Sequence, residues 1–493
     1  MRPHRSLRNR INEFVNNIFQ GYKPTKVRDS KAIHESLWGT NIYRKHEIAV
    51  LDCPLLQRLR QISQTGLAFL IYPSATHSRF EHTLGVITLI DRFVDSINQS
   101  VRSENMIKKD SDKGEYAELR MAALLHDCGH SFLSHISEMV YEWDHEIRAI
   151  LKSDEFAHTK PHEVFSYYIV KSPSFKKFFK KYVSDPYPIE INLENVANMI
   201  IGRVTDNKRA FLTRIINGPF DADKLDYISR DGYFSGLRLT IDLDRLFYTL
   251  STHEFREGLM ELTVKSPVPL EHILFSKLLL YTSIYHHKVK ACDCMIQGLL
   301  EYIQENDVSL MGATLRDPVN FLRFTDNDLF NNIHSKDPFI KKMVKNLLDR
   351  KLFKRAAVIS RDTIENYDEC IPELLERINQ SPEELYELRQ KIVSKMPRHK
   401  KCSIHEVWVS MPEAPSLREA AQTYVTGGTE PIILNDLFPV DGWLKAYADK
   451  QLKGHVFAPP EFQEEVCKAV ERAFKDLDIK INREKNRFYC RMS

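Results

Sequence analysis

From about residue 46 to about residue 300, apolar side chains recur at spacings of three and four, the repeat of a helix with one buried face. Val86, Leu89, Ile90, Phe93, Val94 and Ile97 form one such stripe. Short Gly and Pro breaks separate the runs, so this stretch predicts packed helices rather than a sheet. At 493 residues the chain exceeds one ordinary domain, and a main body with smaller lobes is expected. A second helical region extends to about 396, where Ser381-Pro382-Glu383-Glu384 offers an N-cap, a proline at the first helical position and acids in the first turn. Residues 397–401 read as a linker. Beyond them, 405–409 (HEVWV) and 430–434 (EPIIL) read as strands, and 461–474 as one amphipathic helix. The expected fold is mainly α, an all-helical core with a smaller C-terminal α+β lobe. Its expected divisions are an N-terminal extension over 1–25, the core over 26–300, a helical extension over 301–400 and the lobe over 401–493.

Composition excludes several function classes. Lysine and arginine number 70 against 67 acids, and a net charge of +3 over this length gives no support to a nucleic-acid surface. The N-terminal arginines Arg2, Arg5, Arg8 and Arg10 read as a solvated tail. No run of apolar residues is long enough to span a membrane, and MRPHRSLRNR leads into no signal-like core, so an intracellular protein is expected, cytoplasmic or, in a nucleated cell, nuclear. The eight cysteines are scattered, as reduced thiols would be. Only Cys292 and Cys294 lie close together, and no second pair at zinc-site spacing accompanies them.

The densest chemistry is ALLHDCGHSFLSH at 123–135, which carries His126, Asp127, His130 and His135. Such a run serves metal chemistry, proton chemistry or a polar core. Neighbouring side chains on a helix diverge by about 100°, so a metal site here needs partners from other elements. Two other stretches have suitable residues: HSRFEHTLG, with His77, Arg79, Glu81 and His82, and FDADKLDYISRDG, with Asp221, Asp223, Lys224, Asp226, Tyr227, Arg230 and Asp231. Imidazoles with carboxylates suit Mn²⁺, Fe²⁺, Zn²⁺ or Ni²⁺, and lysine, arginine and tyrosine beside such an ion fit phosphate-ester hydrolysis.

His82, His126-Asp127 and Asp223, in that order, reproduce the H...HD...D signature of HD-domain metal phosphohydrolases. The likeness extends through DCPLLQRLR at 52–60, Gln64, YPSATHSRFEHTLG at 72–85, HDCGHSFLSH at 126–135, DADKLDYISRD at 221–231 and YHHKV at 285–289. Together these motifs resemble the deoxynucleoside triphosphate triphosphohydrolases, which include bacterial dGTPases and the vertebrate enzyme with sterile-alpha-motif and HD domains. The resemblance covers roughly 26–300, and no sterile-alpha-motif region is visible.

That resemblance implies a divalent metal (Mn, Fe, Zn, Ni or Mg) held by His82, His126, Asp127 and Asp223, with a further Mg²⁺ on the substrate triphosphate as an option. It places His130 and His135 over the α-phosphate, His135 as general acid, Glu138 as its orienting partner where the family commonly has aspartate, and His162 as a further active-site histidine. Arg79, Lys224 and Tyr227 match triphosphate contacts, Gln64 and Asp231 the pair that bonds the sugar 3′ hydroxyl, and Tyr285 the ring that disfavours a ribose. Two positions depart from the pattern: Lys277 stands where an arginine often reaches the γ-phosphate, and Tyr281 where a histidine often lies near the base. Asp52, Gln57 and Arg60, with Lys26, His287 and Lys288, match an allosteric nucleotide pocket between subunits, implying a homo-oligomer, dimer or tetramer, activated by a dNTP or GTP. The implied reaction converts a dNTP to deoxynucleoside and inorganic triphosphate, in dNTP-pool control or in antiviral or anti-phage defence. The alternatives are another HD nucleotidase or phosphodiesterase, and a catalytically silent protein that senses nucleotides or binds nucleic acid.

Overall fold

The structure is a computed structural model that describes all residues except 1–5, 26, 101–105, 110–113, 158, 188, 285, 311–313, 413–417, 428–429 and 492–493. Its chain forms two compact units, and neither is a continuous segment. The first holds residues 1–280, 315–328 and 417–440; the second holds 281–314, 329–416 and 441–493.

The first unit is mainly helical, as its periodicity predicts. The Val86 stripe lies on the Arg79–Ser100 helix, whose inward face includes Val86, Leu89, Ile90, Phe93, Val94 and Ile97, all buried. The Glu115–Leu125 and Ala222–Ser235 helices pack against it, and their buried positions run round most of the helix, which marks the centre of the unit. Asp221 caps the Ala222–Ser235 helix through the backbone N–H of Lys224, and Gly236 ends it at a φ of +76°. An antiparallel hairpin, Lys31–Glu35 with Gly39–Tyr43, brings Glu35 and Trp38 down to that helix. A four-stranded sheet combines Leu250–Glu254, Met260–Val264, Tyr424–Val425 and Ile432–Ile433, in that order. One of the expected strands is therefore real but short, at Ile432–Ile433.

The second unit is α+β. A three-stranded antiparallel sheet has Gly454–Ala458 at its centre between Lys354–Ile359 and Trp408–Ser410. The Tyr367–Gln380, Pro382–Ser394 and Gln463–Lys475 helices cover it around a core of Ile371, Ile392, Val407, Val456, Val470 and Phe474. Ser381 precedes the Pro382–Ser394 helix, but its hydroxyl donates to Glu383 rather than capping the backbone. Residues 404–406 form a turn of 3₁₀-helix, so the expected 405–409 strand begins only at Trp408. The second unit draws chain from both sides of the expected linker, and the change of unit falls at residue 281. Among the described residues no helix is long and apolar enough to cross a membrane.

A candidate metal centre beside a histidine cluster

Three elements of the first unit meet at one point. The Arg79–Ser100 helix contributes His82 from its first turn, and the Ala222–Ser235 helix contributes Asp223. The Glu115–Leu125 helix stops at Leu125, and the chain turns through His126 and Asp127. The dense motif is therefore not one helix; its turn lets consecutive side chains face the same point.

His82 Nε2 lies 3.0 Å from Asp223 Oδ1, 3.8 Å from Asp127 Oδ2 and 3.3 Å from His126 Nε2. His126 Nε2 lies 3.4 Å from Asp127 Oδ1 and 4.0 Å from Asp223 Oδ1. Ligands about 2.1 Å from a shared ion stand about 3 to 4 Å apart, so this spacing suits a metal. The opposite ring nitrogens are both engaged elsewhere. His126 Nδ1 donates to the Ala123 carbonyl at 2.8 Å, and His82 Nδ1 donates to Asp226 at 2.7 Å. With Nδ1 spent, His126 turns the lone pair of Nε2 toward His82, Asp127 and Asp223; a divalent cation would satisfy this set, as does a proton carried on His82 Nε2 when no cation is bound. Burial opposes charge on His82, yet hydrogen bonds to Asp223 and Asp226 outweigh it and push its pKa up to about 10. Burial also opposes ionisation of Asp127, but Arg79 and His126 hold that carboxyl well below the usual range.

A supporting shell fixes these groups. Asp226, fully buried, accepts Arg230 Nε at 2.8 Å, Arg230 Nη2 at 3.0 Å and Trp38 Nε1 at 2.5 Å, while Arg230 also reaches Glu35 at 2.8 Å. A Cβ at Gly85 would overlap the Asp226 carboxylate, so glycine is required where the two helices cross. Sequence reasoning ranks Asp223 and Asp231 above Asp226. The usable signal was the i, i+4 pair Asp226–Arg230 on the helix that carries Asp223.

Beside the centre, His130, His135, Glu138 and His162 bring one polar atom each to within 4.8 Å of one another. Glu138 Oε1 accepts His162 Nδ1 at 2.6 Å and lies 3.5 Å from His130 Nδ1, and Glu138 Oε2 lies 3.2 Å from His135 Nδ1. His135 and Glu138 share a 3₁₀-helix, Ser134–Trp143, in which residues three apart eclipse, and this aligns the glutamate with the imidazole. His130 stacks on His162 at 3.7 Å between centroids and its Nε2 lies 3.4 Å from Asp127 Oδ1. Burial, with Arg79 and His162 nearby, holds His130 well below its ordinary pKa, and neither of its ring nitrogens has a hydrogen-bond partner. His135 is 57% accessible at its side chain and so open to solvent. Crowding by protein still lowers its pKa, against the upward pull of Glu138.

Leu133 and Ser134, immediately before His135, both have left-handed backbone, with φ of +56° and +55°. For side-chain-bearing residues this conformation costs on the order of 1–3 kcal/mol each. Asp326 holds the turn, accepting the Leu133 N–H at 2.6 Å and the Ser63 N–H at 2.8 Å. Nothing in the motif announces this partner, which lies nearly two hundred residues further along the chain.

The expected substrate contacts are placed unevenly. Arg79 is buried and donates to Asp127 at 2.6 Å and to Ser134 at 2.7 Å, with Nη2 left unpartnered. Lys224 Nζ donates to the Gly218 carbonyl and to Asp221, each at 2.8 Å. Asp231 and Gln64 are linked through His77: its Nε2 meets Asp231 Oδ1 at 2.7 Å and its carbonyl accepts the Gln64 N–H at 3.0 Å. Gln64 Oε1 is buried without a partner. Tyr227, Lys277 and Tyr281 are half-buried, the last where the second unit begins. Lys160, passed over in the sequence, interacts electrostatically with Asp223, Lys224 and Glu138, which adds a cation to the same recess.

Of the expected nucleotide-control residues, Asp52 pairs with Lys31 at 2.7 Å, and Gln57 accepts Arg60 Nε at 2.8 Å while Arg60 lies over Phe80. His287 and Lys288 open the His287–Glu305 helix of the second unit. Burial, then Arg355 and His286, lower the pKa of His287 to about 3. Lys26 and Tyr285 lie outside the described residues. Cys128 is buried, its thiol pushed up to about 12 by burial, and Cys292 and Cys294 lie in the core. A third group, Glu301, Glu305 and His405 of the second unit, gathers close enough to resemble a metal site, but Arg389 engages Glu301 and the two nitrogens of His405 serve different carboxylates.

Comparison with known proteins agrees with this geometry. A family model described as the HD domain matches residues 79–206, and one described as the HD associated region matches residues 241–487, half of the chain. An uncharacterized protein of Methanocaldococcus jannaschii is 29% identical over 330 residues, 66% of this chain and 60% of that protein. A "Deoxynucleoside triphosphate triphosphohydrolase SAMHD1 homolog" of Dictyostelium discoideum is 26% identical over 346 residues, covering 68% and 62% of the two chains. The matched region thus spans about three fifths of the length of these curated relatives. The crystal structure of a hypothetical protein from Aquifex aeolicus superposes with a TM-score of 0.62 at 22% identity, over 90% of this chain and 100% of that one, and so shares its fold. The HD match begins on the helix of His82 and runs through the whole histidine cluster, and the associated region follows from residue 241 over half of the chain: this chain belongs to the HD-domain family.

Proposed function

We propose that this protein is a metal-dependent hydrolase of nucleotides, and specifically a dNTP triphosphohydrolase that releases deoxynucleoside and inorganic triphosphate. The observation that carries the reading is the convergence of His82 Nε2 and His126 Nε2 at 3.3 Å, with Asp127 and Asp223 around them and a cluster of proton-handling side chains alongside. The named activity of the Dictyostelium relative supports the choice of substrate.

A divalent ion held by these four residues would polarise a phosphoryl oxygen and lower the pKa of water. The rest falls to the chain's own groups. Glu138 anchors the Nδ1 side of His135, leaving Nε2 to face the recess and give a proton to the departing 5′ oxygen. His130, kept neutral, stands between Asp127 and Glu138 and so bridges the metal ligands and the acid's partner. The unpartnered Nη2 of Arg79, with Lys224, Tyr227, Lys277 and Lys160, supplies donors and positive charge for a triphosphate. Gln64 Oε1, buried without a partner, and Asp231 are the groups suited to a sugar hydroxyl.

Nucleotide control in a homo-oligomer belongs to the same reading. The groups that lower the pKa of His287 besides burial include three cations, Arg355, Lys288 and Arg491. Such a concentration of positive charge suits the phosphates of a dNTP or GTP activator. Control of dNTP pools, or defence against viruses or phages, would follow from the reaction.

The test is to incubate the purified protein with each dNTP and NTP, singly and mixed, with Mn²⁺ or Mg²⁺, and to resolve products by chromatography. Deoxynucleoside with inorganic triphosphate is the expected outcome. Monophosphate with pyrophosphate, or tight binding without turnover, would overturn it. Turnover that appears only in mixtures, with a nucleotide-dependent rise in mass by light scattering, is expected for the control; equal rates on single nucleotides at constant mass would refute it.

A further inference from the structure

A second cleft, remote in sequence from the HD motif, lies within the second unit between the Gln463–Lys475 and Arg483–Cys490 helices. It encloses about 440 Å³ and is lined by Lys468, Arg472, Lys475, Arg483, Arg487, Glu464, Glu471 and Cys467. Five cations therefore face two carboxylates. Both carboxylates are already matched: Lys468 meets Glu464 at 3.0 Å, and Arg483 Nε meets Glu471 at 3.0 Å. Arg472 donates to the Lys395 carbonyl at 3.2 Å, a contact that leaves its charge uncompensated. Among the described residues, no carboxylate stands within ion-pair distance of Arg472, Lys475 or Arg487, all exposed.

The walls are fixed. Val466, Ala469, Val470, Ala473 and Phe474 lock the first helix into the core. Asn486, 1% exposed, accepts the Val358 N–H at 2.9 Å and donates to Cys467 Sγ at 3.6 Å, tying the second helix to the sheet and to the cleft floor. Three exposed cations on a fixed frame, none with a carboxylate at ion-pair distance among the described residues, give this cleft a local positive field that attracts an anion. The volume is that of a small-molecule site rather than of an extended groove.

We propose that this cleft binds a small polyphosphate anion through Arg472, Lys475 and Arg487. The site is independent of the HD centre and of the function proposed for it. Inorganic triphosphate is the probe, and the readout is hydrogen exchange of the full chain followed by mass spectrometry, which reports on these two helices separately from the HD region. Triphosphate should slow exchange in peptides covering 463–475 and 483–490, and its half-effective concentration should rise roughly tenfold or more in Arg472→Glu/Lys475→Glu/Arg487→Glu, with HD-region protection unchanged. The milder Lys475→Ala/Arg487→Ala should give a smaller rise and keeps the test open if the charge-reversed chain misfolds. No protection at millimolar triphosphate, or equal protection in the variants, would overturn the proposal. So would protection by a single-stranded oligodeoxynucleotide but not by triphosphate, which would make the surface one for nucleic acid.

Discussion

Asp226→Asn isolates the support of the metal centre from its ligands. The substitution keeps size and shape, but an amide offers one acceptor oxygen where the carboxylate receives His82 Nδ1, Trp38 Nε1 and two guanidinium nitrogens of Arg230. Its NH₂ must then face a donor. Removing one partner of a buried ion pair costs about 3–5 kcal/mol. Arg230 retains Glu35 at 2.8 Å, so the lower end, about 3 kcal/mol, is expected for folding. The effect on metal is separate: disturbing the group that orients a ligating imidazole weakens binding about 10–100-fold, or about 1.4–2.8 kcal/mol. Titration of Mn²⁺ into the purified variant, followed by calorimetry, measures the second term, and denaturant unfolding measures the first. A Mn²⁺ affinity within threefold of the original in a folded Asp226→Asn protein would refute the assignment of His82 Nε2 as a ligand braced by Asp226.

Other outcomes follow from the same geometry. Asp127→Ala should lose bound metal and hydrolysis together, and metal analysis showing full content with full activity would overturn the ligand set. Glu138→Gln removes the charge that raises the His135 pKa, so that pKa falls; with His135 as the acid, the alkaline limb of the kcat profile should move to lower pH, and an unmoved limb would exclude the pair. Gly85→Ala should cost about 1–3 kcal/mol in denaturant unfolding and weaken Mn²⁺ binding, because the added methyl displaces Asp226. Asp326→Asn should speed hydrogen exchange at 131–136 more than in the Arg79–Ser100 helix, and uniform exchange would show that the turn holds without it.

The parts of this protein legible in its sequence are those set by local periodicity and by compact motifs. The Arg79–Ser100 helix follows from its apolar stripe, and His82, His126, Asp127 and Asp223 stand out as a set through their likeness to the H...HD...D signature, where residue type alone leaves His77, Asp221 and Asp231 equally eligible. Their supports do not. Asp226 resembles any acid on a helix until Trp38 and Arg230 close over it, and Asp326 is an ordinary loop acid until the chain returns it to Leu133. The helix end at Leu125 is equally hidden, because neither proline nor glycine stands at the next three positions and the stop is imposed by the turn that aims His126 and Asp127. In the second unit, 405–409 alternates like a strand throughout, yet a Ser403–Glu406 capping box turns its first residues into 3₁₀-helix. The interleaving of the two units leaves no composition change at residue 281 to mark it.

The clamp on the Leu133–Ser134 turn has a consequence for the order in which the protein matures. All four candidate ligands belong to the first 223 residues, whereas the segment 315–328 joins the first unit only after the chain has entered the second. During synthesis all four candidate ligands are therefore present while the strained turn before His135 still lacks its clamp. Metal capture would come first and acid placement last, so a nascent or truncated chain ending before Asp326 would hold its ion without a properly set proton donor.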